Sequence, residues 1–323
     1  MHCPDCGDER TLDRRQFLKT AALTGALAPA ALGARTAGES ETLVASFYGS
    51  LSDEQKQKIC FPFDHPLRSK VDANWQITPL RIEEYFNGEQ QSMIREIFRK
   101  LYNPQFAEKV EAQLYEDAGG LGRYSVALFG EPKTGDFEFV LTGRHCTVRC
   151  DGDSVPGVAF GGPIFYGHQA GPSATEKPDH PGNIYWYQAK RANEVFQALN
   201  GKQRETALIQ ALPRAEKSNA TVELSKTRQD LAGLPVSDMS RDQRELVEKV
   251  LADLLLFYRK KDVDEAMKLI KAKGGVSSMA MSFYKSLDIG NDGLWDVWQL
   301  ESPNMIWYFR GHPHVHVWVN LRA

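Results

Sequence analysis

The chain lacks the apolar run of roughly 18 residues that a membrane-spanning helix requires. Its longest weakly apolar segment, 21–34, is rich in Ala and Gly and contains Pro29, so no stable membrane anchor is expected. An excess of positive charge is missing too: 39 Lys and Arg stand against 42 Asp and Glu, for a formal charge of −3. Nothing in that balance grips a phosphate backbone, which argues against nucleic acid as a partner. Cysteine is scarce as well, with five in all. Cys3 and Cys6 form a C-P-D-C pair, but no second pair stands at zinc-site spacing, and Gly7 occupies the place where haem attachment needs His. That leaves Cys60, Cys146 and Cys150, too few for a disulfide framework. On one strand, Cys146 and Cys150 would stand roughly 13 Å apart, beyond disulfide reach.

What is present is a globular composition, 42% hydrophobic and 25% charged, which excludes disorder and fibrous repeats for the bulk of the chain. The front differs. Asp13-Arg14-Arg15-Gln16-Phe17-Leu18-Lys19 precedes the weakly apolar segment, the pattern of a twin-arginine (Tat) export signal. Residues 1–38 therefore read as signal peptide and processing region, and 39–323 as a single domain. The expectation is delivery by the Tat translocase to the periplasm or beyond. That route carries proteins already folded, often with a cofactor in place.

Four places repeat one device: Ser52 with Gln55, Asn87 with Gln90, Asn200 with Gln203, and Ser240 with Gln243. Ser or Asn followed three residues later by Gln is a capping box, in which the two side chains satisfy orphan N–H groups at a helix start. Helices are expected over 53–60, 88–102, 201–212 and 241–258, with others near 105–117, 186–199 and 263–273. The recurrence reads as capping chemistry and not as a solenoid, since the intervals between the boxes are unequal.

Strand-like sequence falls in two blocks, central (123–129, 137–142, 145–149, 157–160) and C-terminal (294–300, 304–309, 312–320). The simplest arrangement is an α+β fold: one mixed or antiparallel sheet fed by both blocks, with helices packed around it. The runs 167–182 and 217–235 read as surface loops.

Three of the eight histidines stand in one run, His312-Pro313-His314-Val315-His316-Val317-Trp318. On a strand, residues two apart share a face at roughly 7 Å. His314 and His316 can then converge on one ion, whereas His312 lies roughly 13 Å from His316 along the backbone. Pro313 also places the strand start after His312. Either His145, at a strand start, or His168, where a strand enters the Gly/Pro-rich loop, could add a third imidazole. His65 and His180 are Pro-flanked turn residues.

The order of these features resembles the bacterial family known as domain of unknown function 3500. The likeness runs from Leu51-Ser52 through Phe61-Pro62-Phe63-Asp64, then 139–145 and 160–167, to His314-Val315-His316 with Trp318. The resemblance implies a His at the position of His145 together with the terminal H-x-H, and it leaves activity undefined. This chain departs from the pattern at Arg144, where a second His is expected, and at Tyr308, where a Glu is expected. Glu301, His168 or water would have to replace such a Glu.

Other templates fit less well. Gly152-x-Ser154-x-x-Gly157 misses the nucleophile elbow by one residue. In 288–293, Gly290 replaces an oxygen ligand of an EF-hand, and Gln299 stands where the bidentate Glu belongs. Gly119-Gly120-Leu121-Gly122 lacks the last glycine of a dinucleotide fingerprint.

The resulting expectation is an exported metalloprotein with one mononuclear centre built from His145, His314 and His316, with His168 as a further candidate. It would hold a divalent transition metal (copper, iron or zinc) and act as an oxidoreductase or hydrolase on a small-molecule substrate. The alternatives are a non-catalytic metal carrier and a carbohydrate or small-ligand module that uses the Trp cluster.

Overall fold

In a computed structural model of the protein, residues 39–170, 182–288 and 294–323 are described. Arg14 and Arg15, His180, and the turn after Asp288 lie outside them. All four capping boxes form, each with both reciprocal hydrogen bonds. They start α2 (Asp53–Ile59), α4 (Gly88–Lys100), α7 (Gly201–Ala207) and α8 (Arg241–Leu255). The other α-helices among the described residues are α1 (Glu39–Ser50), α3 (Ile82–Tyr85), α5 (Ala107–Ala118), α6 (Tyr187–Ala198) and α9 (Lys260–Ala272).

The boxes also meet in pairs. Gln55 and Gln90 exchange two amide hydrogen bonds, at 2.9 and 3.0 Å, and Gln203 and Gln243 exchange two at 3.1 and 2.9 Å. Gln90 further donates to the Ser50 carbonyl, as Gln243 does to that of Ala198. Each glutamine thus closes its own helix start and docks it on a neighbour. Gln90→Ala should therefore cost about 2 kcal/mol, combining a lost cap with orphaned buried amides. In a domain of this size that lowers Tm by roughly 4–8 °C, and Gln243→Ala should match it. A melt unchanged by either substitution would mean that water replaces these bonds freely.

Among the described residues eleven strands form one mixed sheet: β1 (Cys60–Phe61), β2 (Ser125–Gly130), β3 (Phe137–Gly143), β4 (Cys146–Cys150), β5 (Ile164–His168), β6 (Leu208–Ile209), β7 (Leu234–Pro235), β8 (Ala280–Tyr284), β9 (Val297–Ser302), β10 (Met305–Arg310) and β11 (Val315–Leu321). Their order is β1-β2-β3-β4-β5-β11-β10-β9-β8-β6, with β7 beside β8. The two blocks join where β5 pairs antiparallel with β11. The fold is α+β.

Alternation along the strands sorts side chains to two faces. Val126, Leu128, Phe139, Leu141, Tyr166, Trp307, Val315 and Val317 pack against the helices. Ala127, Phe129 and Val140 face the loop that carries Phe63, Trp75 and Ile77. Phe165, Ile306, Tyr308 and Trp318 face a second cover formed by Val71 and Val222. One face is covered by helices, the other by long loops.

Several expectations need correction. Residues 157–160 form no strand. Gly157, Phe160, Gly161 and Gly162 all take positive φ, so the chain winds through a 3-10 turn before β5 begins. Helix α7 stops at Ala207 because Leu208-Ile209 leave it to pair with Phe283-Tyr284. Within 217–235, Thr221, Val222 and Leu234 are buried, so that segment is a cover for the sheet and not only a surface loop. Trp298, Trp307 and Trp318 have no exposed surface, which leaves them no face for stacking on a ligand. As expected from their places on one strand, Cys146 and Cys150 are buried and unbonded to each other.

Candidate metal centre

Strands β3 and β4 are joined by a two-residue turn, Arg144-His145. His145 was expected to begin a strand, but it takes φ +57, the left-handed region, at the tip of this hairpin. Several contacts fix the tip. The Tyr124 hydroxyl donates to the Arg144 carbonyl at 2.7 Å, and the His145 N–H donates to the Ala73 carbonyl at 2.9 Å. The Trp75 indole donates to Thr147 at 2.9 Å. Gly143 is required because a Cβ there would stand 2.0 Å from the Tyr124 ring.

The other histidines come from the start of β11. His316 faces the loop side, edge-on to Phe165 at 5.1 Å, and is opposite Gly167. A Cβ on Gly167 would stand 2.4 Å from the Val315 carbonyl oxygen. His314 lies two residues earlier. Its Nε2 is 3.1 Å from Nε2 of His145 and 3.1 Å from Nε2 of His316. Among the described residues these three form the group of side chains able to hold a metal ion.

The outward nitrogens decide what the inward ones can do. Asp117, on the last turn of α5, places Oδ1 2.9 Å from His145 Nδ1. Glu216 Oε2 accepts from His316 Nδ1 at 2.7 Å, and its other oxygen stands 2.6 Å from Arg310 Nε. A carboxylate at Nδ1 keeps the proton there and turns the Nε2 lone pair inward. Burial, aided by Arg310, pushes His316 well below the ordinary histidine value, so this ring is neutral. Two lone pairs then converge on His314 Nε2, which carries at most one hydrogen and can satisfy only one of them. A cation accepts all three. Nitrogens about 2.0–2.1 Å from one tetrahedral ion stand roughly 3.3 Å apart, close to the two 3.1 Å spacings from His314, and all three ligand atoms lie within 4.8 Å of one another. The donor set fits a transition metal.

Sequence position explains which histidines join. His168 is opposite Val315 in register, and both belong to the helix face. There His168 Nδ1 meets Asp117 Oδ2 at 3.0 Å and its Nε2 meets Glu116 at 3.2 Å. Strand alternation puts it on the side of the sheet opposite His316, so it supports Asp117 and is not part of the triad. Glu301 is bonded to Arg214, Ser225 and Gln299, while the Tyr308 hydroxyl donates to the Arg214 carbonyl. His312 is not in the cluster.

Asp117 and Glu216 were not read from the sequence. Asp117 had left a signal: an acidic pair, Glu116-Asp117, in the last turn of a helix, where the macrodipole favours cations. Burial raises the Asp117 carboxyl, but its contacts with His145 and His168 outweigh that and hold it at about 2. Asp117→Asn should weaken metal binding about 10–100-fold by freeing the His145 tautomer. Competition with a chelator measures this, and unchanged affinity would remove Asp117 from the centre.

The chain belongs to the family described as protein of unknown function (DUF3500), whose model matches residues 34–320. No curated protein and no solved structure matches it.

Proposed function

We propose that this protein is an exported metalloprotein in which His145, His314 and His316 hold one divalent transition metal for enzymatic work on a small molecule. The observation that carries this reading is the convergence of three Nε2 atoms, two of them backed at Nδ1 by carboxylates. A carrier needs only affinity, whereas three neutral nitrogens leave a coordination position for water or substrate. His314 and His316 are partly exposed, which gives that position access to solvent. The metal, copper, iron or zinc by its donor set, would supply Lewis acidity or dioxygen chemistry, so the enzyme is an oxidoreductase or a hydrolase. The chain's own share is positional. Asp117 and Glu216 fix two imidazole tautomers, and Arg310 offsets the Glu216 charge.

Elemental analysis of protein recovered after export in a Tat-competent host tests the proposal. One equivalent of a single metal per chain is expected, and folded protein carrying none would overturn it. The twin arginines support the Tat translocase as the export partner and the periplasm or exterior as the destination. Arg14→Lys with Arg15→Lys should trap an unprocessed precursor inside the cell. Continued delivery of that double variant would dismiss the Tat assignment.

A further inference from the structure

The sheet order reads the same from both ends: β1-β2-β3-β4-β5, then β11-β10-β9-β8-β6. Each half begins with a helix leading into a capped short helix, α1–α2 and α6–α7, that ends in a two-residue strand. Each of those strands pairs in parallel with the first long strand of its half. Cys60 is opposite Leu128 and Phe61 opposite Phe129, just as Leu208 is opposite Phe283 and Ile209 opposite Tyr284. Next come two helices, α4–α5 and α8–α9, a Gly-Gly pair with positive φ (Gly119-Gly120 and Gly274-Gly275), a 3-10 turn, and an antiparallel run of strands. The hairpins β3–β4 and β9–β10 both turn on two residues, Arg144-His145 and Pro303-Asn304. Even the paired glutamines repeat, down to the Ser50 and Ala198 carbonyls they bind.

The halves meet on an axis. Matching the hairpins and the pairings β4–β5 and β10–β11 makes Ile164 the counterpart of Val319, and these two residues are directly opposite each other. Far along the chain, Tyr102 is bridged to Tyr258. Asn103 N–H donates to Phe257 O at 2.8 Å, and Arg259 N–H donates to Leu101 O at 3.2 Å. Those two bonds interchange when 101–103 is swapped with 257–259. Counterparts that contact each other directly lie on a twofold axis.

We infer that residues 39–168 and 187–323 are two copies of one module, paired about a pseudo-twofold axis, with the histidine triad assembled between them. His145 belongs to the first copy, and His314 and His316 to the second. Twofold symmetry implies a second such position, and there the ligands are missing. Asn304 stands for His145, Ala272 for Asp117 and Ala323 for His168. No strand carries residues in the places of His314 and His316, because the chain winds through the glycine turn Ala159–Gly161. What remains is a 210 Å³ hollow lined in part by Lys273, Pro303, Asn304 and Ala323.

The experiment is a cut between the copies. A protease site placed within 171–181 of the full chain is cleaved after folding. The fragments should stay together as a 1:1 complex in native mass spectrometry, reform that complex after urea unfolding and dilution, and recover one added zinc or copper per pair. Neither fragment alone should hold the ion. Fragments that part under native conditions, or that fail to re-pair on dilution, would overturn the duplication. One fragment binding metal as well as the pair, or two ions per pair, would overturn the shared site. The metal part rests on the proposed function, and the two can fail separately: uncut protein without metal affinity defeats the metal reading, while re-pairing still judges the duplication.

Discussion

His316→Ala should leave the purified protein with less than about a tenth of its metal, and His314→Ala and His145→Ala should do the same. Each removes one of three nitrogens that lie within 4.8 Å of one another, and two imidazoles cannot close the coordination shell. The neighbours supply the contrast. His312→Ala should keep nearly full occupancy, since His312 lies outside the cluster. Val315→Thr should also keep the metal while lowering stability by about 1–3 kcal/mol, because it buries a hydroxyl on the helix face. Metal content in dialysed samples, read beside a melting curve, separates loss of ligand from loss of fold. A histidine-rich segment binding metal loosely would instead lose affinity evenly at 312, 314 and 316. Equal losses there, or full occupancy after His145→Ala, would defeat the ligand set.

That contrast is legible in the sequence, because the period of two on a strand is a strong signal. Spacing alone puts His314 and His316 on one face and Val315 on the other. The third ligand is harder. His145 is brought in by a left-handed turn and a hairpin, and neither spacing nor propensity encodes that arrival. His168 is a further candidate from its residues alone, and only its register opposite Val315 places it on the wrong face. The capping boxes are legible because their chemistry is local. Their pairing is not, although Asn200 follows Ser52 by 148 positions and Ser240 follows Asn87 by 153. Read as consecutive intervals, the boxes look irregular; read as counterparts, they outline a repeat. The strands that escape a reading of the sequence are those without alternating polarity, such as β8 with its buried Met281 and Ser282, and pairs too short to show a period.

Arg149→Ala should cost about 3–5 kcal/mol, and the loss should reach the metal. Arg149 and Glu138 have no exposed side-chain surface, and they meet at 2.7 Å. The guanidinium also donates to the carbonyls of Pro163 and Lys70, each at 2.6 Å, and to that of Arg68. One side chain thereby ties the sheet to the loop that covers it. Alanine leaves those carbonyls unsatisfied and leaves Glu138 buried with only Arg68, 3.0 Å away. Lysine keeps the charge but lacks the planar fork, so Arg149→Lys should still cost roughly 1–3 kcal/mol through the carbonyls it leaves unsatisfied. The same loop carries Ala73 and Trp75, which hold the His145 hairpin. Loosening it frees the tip that presents one ligand, so metal affinity should fall along with the denaturation midpoint although no ligand has been touched. Urea unfolding and chelator competition on the same variant measure both. A cost below about 1 kcal/mol would mean that water enters beneath the loop and takes the place of the guanidinium. Normal metal affinity in a clearly destabilised Arg149→Ala would mean that the hairpin holds its tip without the loop.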